Sequence, residues 1–275
     1  MIPVVIIHRG YQDYLKYSIL QASRKNHVYL ISDPYNLPWP ENVDTVNIKD
    51  YSEGFENFKN NYEHFNTTPY DFEVFCYHRW FILRNFMLKH NFDVTFYIDS
   101  DVMLLSDVEE EWDKFSQFHM TLAHRSAATS SYMTYSGIDN FCNMLEKIYS
   151  EKDGYDFNKI SSHYDVRQQH GLPGGVCDMT LFEYFHYHAE LGGGPGRVGE
   201  MMQIIDGSTY DHNINAEDQD FEFINGIKHL KCSDGKLYCK NLHLNKDIQF
   251  NAVHCQGGAK SLMRPIYEQL KNTRH

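Results

Sequence analysis

Apolar residues near the N-terminus arrive in short unbroken blocks. Residues 3–8 (PVVIIH) form a continuous, largely β-branched run, the pattern of a strand buried on both faces. Residues 11–26 then carry Tyr14, Tyr17, Ile19 and Leu20 at helical spacing, and residues 27–33 (HVYLISD) form a second buried strand that stops at Asp-Pro. Strand, helix and strand within about 30 residues make a βαβ unit and predict a parallel sheet. YNLPWPEN reads as a Pro-rich loop and VDTVNI as a short third strand. From 71 to 91, Phe72, Phe75, Cys76, Trp80, Leu83, Phe86 and Met87 recur at helix period, with basic residues and Asn91 at the end. A strand opening at Val94 follows at once and ends at Asp99 and Asp101. The stretch is apolar at Val94, Phe96 and Ile98 and again at Val102, Met103 and Leu104, with the two aspartates between.

Further on, VEEEWDKFSQF reads as a helix and MTLAH as a strand. YSGIDNFCNMLEKIYSE is an amphipathic helix with Ile138, Phe141, Leu145 and Ile148 on one stripe. DMTLFEYFHYHAEL is another helix, and GGGPG at 192–196 a flexible break. The last third turns to hairpins, with turn signals at Asn225-Gly226 and Asp234-Gly235. The expected architecture is one α/β domain over 1–275, with a parallel half at 1–105 and a mixed half at 106–275.

Composition narrows the function. A chain of 275 residues with 42% hydrophobic and 15% aromatic content supports a substantial core and argues against disorder. A net charge of -12 disfavours general binding to nucleic acid phosphates and suits attraction of a divalent cation at a carboxylate cluster. The six cysteines include no Cys-x-x-Cys pair, as in a reduced cytosolic protein, although Cys232 and Cys239 flank a hairpin turn and are a candidate bridge. The apolar run at the N-terminus is too short for a signal or a span, and no segment reaches the roughly 18 apolar residues of a membrane helix. A cytoplasmic, soluble protein, or one peripheral to a membrane, is expected. The Asn-Thr-Thr at Asn66 fits the N-glycosylation pattern but matters only on secretion.

The chemistry centres on Asp99-Ser100-Asp101. An unpaired buried carboxylate costs several kcal/mol. Residues i and i+2 of a strand face the same way, and the carboxyl end of a parallel strand is where open α/β sheets bind ligands. Mn²⁺ or Mg²⁺ would neutralise the pair and attract a diphosphate; two solvated aspartates at a strand end are the plainer alternative. Near the C-terminus, FNAVHCQGGAKSLM contains His254, Gly257 and Lys260 as His-x-x-Gly-x-x-Lys. A neutral imidazole suits Mn²⁺ as a third ligand, a glycine lets backbone approach a phosphate, and a lysine adds a point charge. The histidines of HYH, His186 and His188, diverge on a helix, which favours a surface or acceptor-cleft role over a second metal site. GGGPG lacks the Gly-Lys-Ser/Thr of a phosphate-binding Walker loop.

Together these motifs resemble nucleotide-sugar glycosyltransferases of the GT-A fold near glycosyltransferase family 8, which includes glycogenin and bacterial lipopolysaccharide galactosyltransferases. The resemblance implies a Rossmann-like mixed sheet flanked by helices, with Asp99, Asp101 and His254 as metal ligands. It implies that Gly257 and Lys260 contact the donor diphosphate, with Ser100 beside them; the family's following Pro-Trp is here Ser261-Leu262. Tyr77 and Arg79 match a Tyr-x-Arg on the preceding helix, which brings Arg79 to the donor. His8 and Tyr11 fall where the family holds the nucleobase, without its usual acidic residues. Asp178 matches the first aspartate of an Asp-Gln-Asp near the reacting sugar; Met179 and Thr180 do not match the rest, a helix-capping aspartate is the alternative, and Asp218 and Asp220 compete for the role. Asp178 and Asp220 are the candidate catalytic residues. The implied activity is metal-dependent transfer of a sugar, a UDP-hexose above all, to a glycan or other hydroxyl acceptor with retention of configuration. A haloacid dehalogenase-type phosphohydrolase and a non-catalytic sugar-nucleotide-binding module are the alternatives. No nucleic acid partner and no integral membrane segment are expected.

Overall fold

The computed structural model describes residues 1–34, 37–190 and 196–272. The GGGPG break and the start of the Pro-rich loop therefore lie largely outside the described residues. The first βαβ unit forms as expected: β1 (Val4–His8), α1 (Leu15–Ala22) and β2 (Val28–Ser32), followed by β3 (Val43–Asn47). All three strands pair in parallel. After α2 (Phe55–Asn61) comes α3 (Tyr70–His90), which buries Trp80, Phe81, Leu83 and Phe86 against the sheet. It ends at Asn91, whose left-handed φ of 54° caps the helix. β4 (Val94–Ile98) then pairs in parallel with β1.

The strand expected to end at Asp99 and Asp101 does so, and the apolar residues beyond them form a second strand in another sheet. β4 stops at Ile98 and β5 starts at Val102, ending at Leu104. Asp99, Ser100 and Asp101 form the turn between them, closed by a 3.0 Å bond from the Val102 N–H to the Asp99 carbonyl. The two aspartates do not share one strand face. The apolar pattern on either side encodes strand, but one strand cannot serve both sheets, and the polar triplet is where the chain changes partner.

α4 (Val108–Glu111) is a single helical turn rather than a helix to Phe118; Asp107 caps it, and a 3₁₀ turn follows. β6 (Met120–Leu122), β7 (Ser130–Thr134), α5 (Tyr135–Ser150), α6 (Tyr155–Gln169), α7 (Asp178–Glu190) and β8 (Val198–Glu200) complete the first half of the architecture. β7 runs antiparallel to β4. The main sheet thus has seven strands in the order β3-β2-β1-β4-β7-β6-β8, parallel at one side and mixed at the other. α6, which holds HYDVRQQH, is a helix that periodicity did not indicate.

The C-terminal third holds β9 (Ser208–Tyr210), the short hairpin β10 (Phe223–Ile224) and β11 (Ile227–Lys228), β12 (Leu230–Ser233), β13 (Lys236–Asn241), β14 (Lys246–His254) and α8 (Met263–Asn272). The turns at Asn225-Gly226 and Asp234-Gly235 fall between paired strands, with positive φ at all four residues. The second sheet runs β12-β13-β14-β5, with β9 beside β14. In the hairpin register Cys232 faces Leu237 and Cys239 faces Leu230, and among the described residues no disulfide forms. Asn66 is buried, its side-chain amide donating to the Val176 carbonyl. No helix among the described residues is long and apolar enough to cross a membrane.

Candidate active site

The turn between β4 and β5 sits where the two sheets join, and it is paired with the end of β14. His254 lies opposite Val102, and the Cys255 N–H donates to the Asp101 carbonyl at 2.9 Å. This pairing sets the C-terminal histidine beside the aspartate turn. One carboxylate oxygen from each of Asp99 and Asp101 and one ring nitrogen of His254 lie within 4.8 Å of one another.

The two carboxylates have different partners. Asp101 faces His254 Nε2 at 3.3 Å and Lys260 Nζ at 3.0 Å. Burial opposes its ionisation, but the hydrogen bonds and charges of His254 and Lys260 outweigh burial and hold its pKa at about 2. The same contact acts on the imidazole: burial opposes its charge, Asp101 outweighs burial, and the pKa stands at about 8. Asp99 instead accepts from Arg79 Nη1 at 2.7 Å and from the Tyr97 hydroxyl at 2.7 Å. Burial pushes its pKa up, and Arg79 only partly offsets this.

Arg79 is fully engaged. Its second guanidinium nitrogen bonds to Asp178 at 2.6 Å, and its cationic carbon lies 4.6 Å from the centre of the Trp80 ring. Asp178, the first residue of α7, also accepts from the Trp80 indole N–H at 3.0 Å and is buried. It reaches the site through Arg79. Tyr77, the other half of the Tyr-x-Arg, points into the core among Phe58, Tyr62 and Tyr149 and does not reach the cleft.

In front of these groups lies a cleft of about 570 Å³ bordered by Asp99, Ser100, Asp101, Arg79 and Lys260. That is a typical size for a small-molecule site. Its far wall is the first βα turn and the start of α3: His8, Arg9, Tyr14, Phe72 and Phe75. His8 is buried with its Nε2 unpartnered among the described residues, and burial lowers its pKa, so the ring is neutral. Lys260 sits 5.2 Å from the centre of the Tyr14 ring. Tyr11 is 46% exposed and does not line the cleft. Gly257 has φ of 59° and opens the 3₁₀ turn that carries Lys260; a Cβ there would meet no atom within 4 Å.

The remaining expected residues lie elsewhere. Asp220 is exposed, with a left-handed φ of 57°, and its carbonyl accepts from Leu242. It is not brought to the cleft. Asp218 is paired to Lys228 at 2.7 Å. His186 is buried on α7 and the His188 ring packs on Tyr184; neither joins the metal-ligand group. Tyr14, Arg9 and Phe75 border the cleft although the sequence alone assigned them no functional role; Arg9 and Tyr14 carried only basic or aromatic character next to the expected nucleobase turn, and Phe75 only its place on α3.

The donor set fits a hard or borderline divalent cation: two carboxylate oxygens and one imidazole nitrogen suit Mn²⁺ or Mg²⁺. The Nδ1–H of His254 donates to the His212 carbonyl, which leaves Nε2 as the ligand atom.

No protein-family profile matches the chain. No curated protein matches it either. Among solved structures it is similar to mouse xyloside xylosyltransferase 1 in its apo form, at 6% identity over 72% of this chain and 84% of that one, with a TM-score of 0.48. It is similar to the galactosyltransferase LgtC in complex with donor and acceptor sugar analogues, at 13% identity over 98% and 96% of the two chains and a TM-score of 0.43. It is also similar to a glycosyltransferase involved in glycosylation of the major capsid of PBCV-1, at 9% identity over 98% and 99%, with a TM-score of 0.42.

Proposed function

We propose that this chain is a metal-dependent glycosyltransferase that moves a sugar, a hexose by preference, from a nucleoside-diphosphate donor to a hydroxyl acceptor. The observation that carries the reading is the meeting of Asp99, Asp101 and His254 at the edge of a cleft that also presents Lys260. Two motifs far apart in sequence supply one ligand set and one phosphate-binding charge. The chain acts as a single domain, with residues 1–105 holding the nucleotide and 106–275 the acceptor.

Asp99, Asp101 and His254 would hold Mn²⁺ or Mg²⁺, which would supply Lewis-acid neutralisation of the leaving diphosphate. Lys260 adds positive charge on the same side, where the leaving group develops its own charge. Gly257 leaves the backbone open for a phosphate oxygen. Arg79, with Asp99 on one side and Asp178 on the other, offsets part of the burial cost of the Asp99 charge and fixes the direction of its carboxylate. His8, with an Nε2 unpartnered among the described residues, is placed to hydrogen-bond the base, and uracil is the base expected. The Asp178 carboxylate is occupied by Arg79, Trp80 and its own helix. That supports displacement from the front face without a carboxylate nucleophile, and hence an α-linked product from an α-linked donor.

The test is a thermal-shift panel of UDP-, GDP- and dTDP-sugars with and without Mn²⁺. Stabilisation is expected only when cation and donor are both present, and it is expected to vanish in Asp101→Ala and in His254→Ala. If no nucleotide shifts the melting point, the reading falls. A β-linked product would overturn the retaining mechanism alone.

A further inference from the structure

His254 is held by one short segment. The Asp211 carboxylate accepts its backbone N–H at 3.3 Å, the Ile214 N–H donates to its carbonyl at 3.0 Å, and the His212 carbonyl accepts its Nδ1–H. Residues 211–214 thus engage every polar group of His254 except Nε2, the atom that faces Asp101.

That segment has a pin of its own. Lys228, on β11, is 2% exposed. Its ammonium contacts Asp211 at 2.6 Å, Asp218 at 2.7 Å and the Asn213 carbonyl at 3.1 Å. Two of the ammonium protons are hydrogen-bonded, to Asp211 and to the Asn213 carbonyl, and Asp218 is held by charge alone. The Lys228 N–H also donates to the Ile214 carbonyl at 2.9 Å. A buried ion cluster of this kind is a weak source of net stability, and its better-attested use is to specify one arrangement.

We propose that Lys228 is a positioning residue for His254. By clamping Asp211 and the Asn213 carbonyl it fixes segment 211–214, and that segment fixes the imidazole tautomer and direction, so that Nε2 is presented beside Asp99 and Asp101. The proposal rests on the metal-site reading for its functional meaning, and its geometry stands without it.

The experiment measures Mn²⁺ binding, from loss of the free-ion EPR signal, in wild type, Lys228→Met, His254→Ala and the double variant. Outer-shell groups that orient a histidine ligand are typically worth about ten- to a hundred-fold in metal affinity. Lys228→Met is expected to weaken binding by that factor in the wild-type background and by less than about two-fold when His254 is already Ala. Equal losses in both backgrounds, or no loss in either, overturn the proposal. Imidazole nitrogen NMR of the metal-free protein gives a second readout: His254 is expected to be protonated at Nδ1 in wild type above its pKa and to become a tautomer mixture in Lys228→Met. If wild type binds no Mn²⁺, the metal-site reading fails, and the tautomer comparison alone decides the positioning role. Should Lys228→Met not fold, Asp211→Asn, nearly isosteric, replaces it with the same expectations.

Discussion

Arg79 and Asp178 are joined by a 2.6 Å ion pair that ties the middle of α3 to the first residue of α7. The pair lies directly behind Asp99, which takes the other arm of the guanidinium. One arginine therefore compensates two buried or half-buried carboxylates. The first turn of α7 thereby becomes part of the support for the metal-ligand turn. A lone buried aspartate would be costly; here its charge is matched and its second oxygen is bonded to the Met179 N–H.

Removing Asp178 is expected to be costly for that reason. Asp178→Ala strands the Trp80 indole N–H and leaves Arg79 with a single carboxylate. A loss of about 3 kcal/mol is expected, the usual scale for breaking a buried pair. Asp178→Asn keeps an acceptor for Trp80 and should lose about half as much. Urea unfolding of the two variants measures this. If Asp178→Ala is as stable as wild type but loses donor binding, Asp178 contacts the sugar rather than the scaffold.

Gly175 tests the same support from the chain side. A Cβ at this position would overlap the Phe65 carbonyl oxygen and press on the Asn66 backbone. Neither is a flexible side-chain end that can swing away. The next residue, Val176, donates to that same carbonyl at 2.7 Å and accepts from Asn66. Gly175→Ala is expected to cost about 2 kcal/mol or more and to weaken Mn²⁺ binding through the displaced Asp178. A variant with wild-type stability and wild-type Mn²⁺ affinity would show that this segment yields freely.

Much of this arrangement is legible in the sequence, for identifiable reasons. β1 and β2 are buried on both faces, so their apolar runs carry the signal undiluted. α5 carries an apolar stripe at helical period, whereas α3 is apolar around most of its girth and exposes Phe72. The Asp-x-Asp and His-x-x-Gly-x-x-Lys segments are local patterns of residue types with narrow chemistry. What escaped was non-local. The break at Asp99 depends on β5 leaving the first sheet for β14, and nothing between 94 and 104 encodes that choice. Asp218 and Asp220 look alike in sequence, and only the fold sets one against Lys228 and leaves the other in solvent. Lys228 itself sits in a hairpin stretch, where a lysine reads as a solvated face, and its counterions arrive from a separate segment.

The glycine pair after His254 separates conformation from contact. Gly257 has φ of 59°, whereas Gly258 has an ordinary backbone, and a Cβ on either meets nothing within 4 Å. Gly257→Ala is expected to cost about 1 kcal/mol from the left-handed backbone alone, and Gly258→Ala to stay within about 0.5 kcal/mol of wild type. If Gly257 also admits a phosphate, Gly257→Ala weakens UDP binding in the presence of Mn²⁺ by more than its stability loss accounts for. Equal nucleotide affinity in Gly257→Ala and Gly258→Ala would remove Gly257 from the donor site.

The Asp101–His254 contact makes the metal-free protein sensitive to pH at both ends. The His254 pKa is raised from 6.5 to about 8, so its contribution is complete below 6.5 and is lost as pH rises through about 8. The Asp101 pKa is lowered from 3.8 to about 2, so its contribution is complete above 3.8 and is lost as pH falls through about 2. Both shifts describe largely one interaction and are counted once. At about 1.4 kcal/mol per pKa unit, the alkaline loss is on the order of 2 kcal/mol. Urea unfolding in chelator at pH 6 and pH 9 is expected to show this loss in wild type and a smaller one in His254→Gln, the difference isolating the histidine. Binding of a divalent cation must displace the proton from Nε2, so Mn²⁺ affinity is expected to rise with pH up to about 8 in wild type. Calorimetry in buffers of different ionisation enthalpy reads the released proton directly. A flat difference between wild type and His254→Gln from pH 6 to 9, with no proton released on Mn²⁺ binding, would mean that His254 is already neutral and unpaired in solution.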